Sequence, residues 1–260
     1  MSTPSIDLNC DLGEDAASIR AGHDLALLGV VSSANIACGG HAGDEWTMTQ
    51  TVRCAIEHGV AIGAHPGYAD LANFGRVSIS MSADEIVAMV AEQIDRLACI
   101  ASALGACIAH IKPHGALYHD AMHSATIAGA IARASMVVLR AKRGQSASPI
   151  LVGQAAAPAL EVWRSLGATV AVEAFADRCY LPDGRLAPRT LAGALISDVE
   201  AAADQAVKIA RGELAQITGG SGRIDTICIH GDTPGAMGIA VGVRAALEQS
   251  GFAIRPVRIA

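Results

Sequence analysis

Short apolar runs alternate with amphipathic stretches along this chain, and most of the apolar runs end in polar, glycine-containing sequence. Ile6 to Asn9 reads as a first strand. Directly after it come Asp11, Gly13 and Glu14, two carboxylates around a glycine that permits a tight turn. An Ala/Leu-rich helix ending near Leu28 and Gly29 leads to a second strand, Ser33 to Ala37, and then to Cys38-Gly39-Gly40-His41-Ala42-Gly43-Asp44. Asp44 is placed to cap a helix whose apolar side is Met48, Val52, Ala55 and Ile56 and which stops at Gly59. The third strand, Val60 to Ala64, runs into His65-Pro66-Gly67-Tyr68 and a loop holding Asn73, Phe74, Gly75 and Arg76. Ser82-Ala83-Asp84-Glu85 is then a capping box for a helix reaching Leu104, with Gly105 as its stop.

Cys107 to His119, CIAHIKPHGALYH, is the stretch around which the chain is organised. In an extended strand alternate side chains share a face, so His110 and Lys112 point the same way, and Pro113 stops the ladder before His114. Ser124 caps a helix towards Arg140, and Lys142, Arg143, Gly144 and Gln145 form a solvated turn. Ile150 to Val152 is a fifth strand, and Pro158 opens a helix closed by Gly167. Thr169 to Ala174 is the sixth strand, carrying Glu173 and ending in Phe175-Ala176-Asp177-Arg178. Ser197-Asp198-Val199-Glu200 reads as a second capping box, and Thr226 to Ile229 is the seventh strand, ending in His230-Gly231-Asp232. After a last helix to Gln249, the tail from Phe252 to Ile259 is placed as an edge strand.

Seven strand-then-helix units, with polar clusters after most strands, predict a parallel sheet with its site on the C-terminal rim. No polar linker divides the chain, so residues 1–260 are read as a single (β/α) barrel domain, seven-stranded, TIM-like and incomplete. A doubly wound open sheet is the second choice.

Composition narrows the function. Hydrophobic residues make up 52%, with a mean hydropathy of +0.38, and charged residues only 17%, which fits a large core and a covered face, hence a homo-oligomer or partner subunits. A net charge of −6 and 3% aromatic residues argue against nucleic acid. The N-terminal sequence has neither a basic start nor a long apolar segment, so no membrane association is expected and the cytoplasm is the expected location. Seven cysteines without a Cys-x-x-Cys pair suit reduced thiols.

If the strand ends converge, Asp11, His41, His65, Lys112, His114, Glu173, Asp177, Arg178, His230 and Asp232 surround one pocket. Carboxylates and imidazoles activate water, and Lys112 and Arg178 neutralise an anionic substrate or a developing oxyanion. An aspartate with two histidines also satisfies a divalent metal. A nucleophilic Cys38 or Cys228 stands against the simpler reading of a buried thiol. The glycine run Gly219 to Gly222 precedes a strand instead of joining a strand to a helix, so it is not read as a phosphate loop.

The strings LNCDLGE, SANIACGGHAGD, GAHPGYAD with FGR after it, HIKPHGALYH, EAFADRCY and HGDTPGA, in this order and across nearly the whole chain, resemble the LamB/YcsF family, known as the A subunit of 5-oxoprolinase. The resemblance implies a barrel similar to the glycoside hydrolase/deacetylase fold and a part in the ATP-dependent opening of 5-oxo-L-proline to L-glutamate. ATP is then a co-substrate and the partners are 5-oxoprolinase subunits B and C; because no Gly-x-x-x-x-Gly-Lys-Ser/Thr segment occurs, the ATP site is expected on a partner, with the Gly39 and Gly40 turn ahead of the Asp44 helix as the alternative within this chain. Within that resemblance Asp11, His41, Lys112, His114, Asp177 and Asp232 are the catalytic candidates, and Gly39, Gly40, His65, Glu173 and Arg178 the substrate-binding ones. Arg178 or Lys112 is expected to hold the substrate carboxylate, Asp11 or His114 to act as base, and Lys112 with the Gly39 and Gly40 amides to meet the carbonyl oxygen. The related deacetylase barrel implies a rival, a metal-dependent deacetylase with its ion on Asp11, His65 and His114. A non-catalytic substrate-binding subunit is the other rival.

Overall fold

The computed structural model describes residues 3–143, 148–218, 222–231 and 235–257. Seven parallel strands form a closed ring: β1 (Ser5–Leu12), β2 (Ser33–Ala37), β3 (Ala61–His65), β4 (His110–Ile111), β5 (Ile150–Gln154), β6 (Thr169–Phe175) and β7 (Thr226–Ile229), with β1 pairing both β7 and β2. An eighth, β8 (Ala253–Ile254), lies outside the ring on the first two residues of β1, within the tail read as an edge strand. The closed ring is the first of the two predicted architectures.

The helices are α1 (Ala16–Arg20), α2 (His23–Leu27), α3 (Glu45–His58), α4 (Ala83–Ala103), α5 (Gly115–His123), α6 (Ala125–Arg143), α7 (Ala159–Ser165), α8 (Val199–Ala210), α9 (Ala215–Thr218) and α10 (Ala236–Gln249). Asp44 and Ser82 build the capping boxes of α3 and α4 with Thr47 and Glu85. The expected box at Ser197 is displaced by one residue: Asp198 caps α8 and accepts from the Ala201 amide, because the aspartate is the stronger local acceptor at the turn. The first predicted helix is broken at Gly22 into α1 and α2. The fourth strand is two residues long, and the sequence after Pro113 is already helical from Gly115. Among the described residues no single helix is long and apolar enough to cross a membrane; α5 and α6 pass that test only together, as a pair bent by 117°.

Strand periodicity puts two different populations on the two faces of the ring. On β1, Ile6, Leu8, Cys10 and Leu12 belong to the hydrophobic core shared with the helices, together with Met48, Ile94, Leu97 and Trp163. The alternate residues Asp7, Asn9 and Asp11 face the barrel interior, where Asn9 reaches Glu173 of β6 and Asp11 reaches Asn35 of β2. Most of the apolar material thus lies between sheet and helices; the interior face is polar on β1 and carries a small apolar cluster, Ile150, Val152 and Ala171, on β5 and β6. This arrangement delivers charged side chains to the C-terminal rim.

Candidate functional site

The floor of the site is a closed hydrogen-bond network. Asp7 accepts from the hydroxyls of Ser32 (2.6 Å), Ser33 (2.7 Å) and Thr226 (2.6 Å). Even so, burial raises its pKa. Asn9 Nδ2 donates to Glu173 Oε1 at 3.1 Å and Thr226 Oγ1 at 2.6 Å, and Asn35 Nδ2 donates to Asn9 Oδ1 at 2.7 Å and Asp11 Oδ1 at 2.8 Å. Asn35 Oδ1 is left as an acceptor, so His110 Nε2, at 2.7 Å, is the donor. His110 lies against Gly63, where a Cβ would collide with its Nε2, so the ring depends on glycine at that position. Burial, reinforced by the Lys112 charge, drops the His110 pKa to about 3 and keeps the ring neutral.

Lys112 rises from this floor to the rim. Its Nζ lies 2.9 Å from Glu173 Oε1, 3.0 Å from Asp11 Oδ1, 3.2 Å from Asn9 Oδ1 and 3.0 Å from Cys228 Sγ. Burial opposes its charge, but the surrounding groups, Asp11 foremost, outweigh burial and hold the ammonium pKa well above normal. Glu173 also accepts from the Tyr118 hydroxyl at 2.9 Å. Burial pushes the Cys228 thiol far up and Cys38 up to about 12, so both are thiols and neither is a ready nucleophile.

Above the floor opens a cavity of about 410 Å³ lined by Asp11, Glu14, His65, Arg76, Lys112, His114, His119, Arg178, Arg189 and His230, among others. Gly13, at φ +78°, turns the chain after β1 so that Glu14 enters this cavity; a side chain at Gly13 would meet Ile36 and Thr51 at 3.3 Å. His65 Nδ1 lies 2.7 Å from the Lys112 carbonyl and His114 Nε2 3.0 Å from the Phe74 carbonyl. Their inward nitrogens, His65 Nε2 and His114 Nδ1, are 3.0 Å apart. Glu14 Oε1 is 3.3 Å from His114 Nδ1, and Asp11 Oδ2 is 3.4 Å from His65 Nε2. His41 stacks on His114 with ring centroids 3.5 Å apart and reaches Glu14 at 3.0 Å.

Burial, with the neighbouring His65, depresses His41 and His114 to about 2. Burial also works against charge on His65 and Asp11, but here each partner wins: Asp11 raises the His65 pKa, while His65 and Lys112 hold Asp11 well below the usual carboxylate range.

Two further groups complete the wall. His230 donates its backbone N–H to Asp177 Oδ2 at 3.0 Å, and its Nδ1 lies 3.0 Å from Oδ1, with the ring stacked on Phe175. Asp177 is fully buried and fixes that imidazole with Nε2 unprotonated in the neutral ring. Arg178 donates from Nη2 to the Ala187 carbonyl at 2.8 Å, while its Nε is buried without a partner among the described residues. Burial, with Arg189 nearby, lowers the Arg178 pKa.

Of the residues expected from the sequence, Asp11, His65, Lys112, His114 and Arg178 line the cavity, and His41, Glu173 and Asp177 stand behind it, each bonded to a lining group. Gly39 and Gly40 do not line it. The Gly39 amide donates to the Ala42 carbonyl at 2.8 Å, and the two glycines pack against Arg96 and Gln93 of α4. Asp232 lies outside the described residues, as do Gly144, Gln145 and Gly219 to Ser221. Asn9, Asn35 and Tyr118 are absent from the sequence-based candidates, and Glu14 figures there only as a neighbour of a turn. Its signal is the glycine before it.

The family model described as LamB/YcsF matches residues 6–260. The 5-oxoprolinase A subunit of Chloroflexus aggregans (strain MD-66 / DSM 9485) is 46% identical over 257 residues, covering 98% of this chain and 99% of that protein. The crystal structure of the lactam utilization protein from Thermus thermophilus superimposes with a TM-score of 0.84 at 40% identity, over 96% of this chain and 99% of that one. T48 deacetylase with substrate shares the fold alone, with a TM-score of 0.50 at 12% identity over 97% of this chain and 87% of that one.

Proposed function

The chain belongs to the LamB/YcsF family, and on that premise we propose that it is the A subunit of an ATP-dependent 5-oxoprolinase, which opens the lactam of 5-oxo-L-proline to L-glutamate. The observation that carries this reading is a single cavity lined by a buried ammonium, an oriented imidazole and an arginine whose buried Nε has no partner among the described residues.

5-Oxoproline is a small anion whose amide carbonyl is a poor electrophile. Phosphorylating the carbonyl oxygen with ATP makes the ring carbon open to water. Arg178 is assigned to the substrate carboxylate, since its Nε has a bond to give. Lys112 faces the carbonyl oxygen and balances the negative charge of the phosphoryl group placed on it, held in position beforehand by Asp11 and Glu173. The attacking water loses its proton to His230, whose tautomer Asp177 sets in a base-and-orienter pairing; the ring nitrogen takes up that proton as the C–N bond breaks, and a second water releases the phosphoryl group from the open-chain acyl phosphate as inorganic phosphate. His114 and Asp11, the bases expected from sequence, are both engaged elsewhere: Asp11 Oδ1 accepts from Lys112 and Asn35, and His114 faces His65 and Glu14. The same occupation of Asp11 weighs against the deacetylase alternative, whose ion would rest on it.

No Gly-x-x-x-x-Gly-Lys-Ser/Thr segment occurs in the sequence, so the ATP step is assigned to partner subunits B and C. Seven free cysteines support a reducing, cytoplasmic setting. The test is glutamate release from 5-oxoproline and ATP with and without the partners. The isolated chain is expected to be nearly inactive and to gain turnover on their addition. Full turnover alone would place the ATP site in this chain, and a fully active His230→Gln variant in the complex would remove the assigned base.

A further inference from the structure

Three atoms that are acceptors when both rings are neutral meet at the cavity wall. The carbonyls of Lys112 and Phe74 can only accept, so His65 Nδ1 and His114 Nε2 carry the ring protons in the neutral imidazoles. That leaves lone pairs on His65 Nε2 and His114 Nδ1, which face each other across 3.0 Å. Glu14 Oε1 lies 3.3 Å from the second and 4.0 Å from the first. Two lone pairs and a carboxylate at this range repel one another unless a proton or a metal cation lies between them.

We infer that Glu14, His65 and His114 hold a divalent first-row transition ion at the cavity wall. Two ligands about 2.0 to 2.1 Å from such an ion stand roughly 3.0 to 3.4 Å from each other, the separations of His114 from His65 and from Glu14, while Glu14 and His65, at 4.0 Å, would close on the ion by a small turn of the carboxylate. Both histidines have the outer hydrogen bond to a carbonyl that orients a metal-binding imidazole, and all three residues line the cavity, so positions on the ion would face the substrate space. His41 is not a ligand of the same ion. Its ring is within 5° of parallel to His114 at 3.5 Å, and an ion in the plane of one ring lies outside the plane of the other. His41 instead bonds Glu14 from behind and aims it, as a positioning residue.

A second cluster, Asp11, Cys228 and His230, is close enough to suggest a metal as well. There the cation is already supplied by Lys112 Nζ, 3.0 Å from both Asp11 Oδ1 and Cys228 Sγ. At the first cluster the competing occupant is a proton on His65 Nε2, which Asp11 favours. The site does not depend on the hydrolase reading, because acceptor geometry alone defines it.

Titrating the full chain with Co²⁺ after chelator treatment separates ion from proton. One Co²⁺ per chain is expected, with visible d–d absorption, displacement by Zn²⁺ and a raised Tm. Glu14→Gln and His114→Gln should each weaken Co²⁺ binding on the order of tenfold or more, while Cys228→Ser leaves it unchanged. Circular dichroism checks that each variant is folded. If a ligand variant does not fold, ¹⁵N spectra of the wild-type rings decide: Zn²⁺ should perturb His65 and His114 together. The inference is overturned by a wild-type chain that takes up no Co²⁺, by uptake indifferent to both ligand variants, by uptake lost in Cys228→Ser, or by a doubly protonated His65 ring that Zn²⁺ leaves unchanged.

Discussion

The barrel floor and the rim above it are built from the same residue types, yet they differ in how completely their polar atoms are paired. On the floor, Asp7, Asn9, Asn35, Thr226 and His110 exchange hydrogen bonds with one another. At the rim, Arg178 Nε has no partner among the described residues, and the inward nitrogens of His65 and His114 face each other beside a Glu14 that His41 bonds. Buried polar groups are ordinarily satisfied, so a satisfied network is architecture and an unsatisfied one marks where something else binds. Lys112 belongs to both, with its charge neutralised below and its ammonium at the cavity.

That division is tested most severely at Lys112. The sequence alone leads one to expect that Lys112→Ala costs turnover and little stability. Its burial between Asp11 and Glu173 changes this, because removing the ammonium leaves the fully buried Glu173 carboxylate without its cation and takes one of two cationic partners from Asp11. Lys112→Ala should lose activity by a hundredfold or more and about 3 to 5 kcal/mol of stability, read from urea unfolding. A variant as stable as the parent would mean the floor does not depend on that charge.

The floor should also register as acid sensitivity. His110 is neutral when folded and has a pKa of about 3, against 6.5 in an unfolded chain. Its contribution is therefore complete above about pH 6.5 and is lost as the unfolded state gains a proton below it, amounting to about 2 kcal/mol by pH 5. His110→Gln should flatten the dependence of unfolding free energy on pH across this window. An NMR midpoint for His110 near 6.5 would contradict the burial argument.

At the rim the expected effect moves to binding. Arg178→Gln, assayed with the partner subunits, should raise KM for 5-oxoproline roughly tenfold, about 1.4 kcal/mol, with kcat little changed. A fall in kcat at constant KM would assign Arg178 to the reaction step. The smallest effect belongs to neither region: Asp84→Ala, in the first turn of α4, should cost at most about 1 kcal/mol and leave kinetics untouched. Altered kinetics there would show that the helix start communicates with the site.

The contrast between regions also explains what the sequence reveals. Rim residues are legible because they follow strands and sit beside Gly or Pro, as Asp11, His65 and His114 do, or beside an oppositely charged neighbour, as Asp177 does. Asn9 and Asn35 are not, since a polar residue alternating with Leu8 and Cys10, or with Ala34 and Ile36, reads equally well as the solvent face of a half-buried strand. Only closure of the ring turns that face inward. Tyr118 is hidden because it lies in α5, a helix that the apolar pattern runs together with the strand before it, and its partner Glu173 is 55 residues away. Gly39 and Gly40 mislead for the opposite reason. Glycines that admit close backbone approach look alike whether the approaching group is a ligand or the side chains of α4.

The closure of the ring at β1 sets an order of events during synthesis. Asp7 and Asn9 emerge among the first residues, but their partner Thr226 lies 219 and 217 residues downstream, and Glu173 lies 164 beyond Asn9. Until β7 has left the ribosome, β1 presents a row of unpaired polar side chains on one face and an unpaired backbone edge on the side away from β2. Contacts of such separation form late and slowly, because loop closure must precede any gain from them. The nascent chain therefore carries an exposed strand edge through most of its translation, and its yield in the cell should depend on how well chaperones cover that edge before Ile229 arrives.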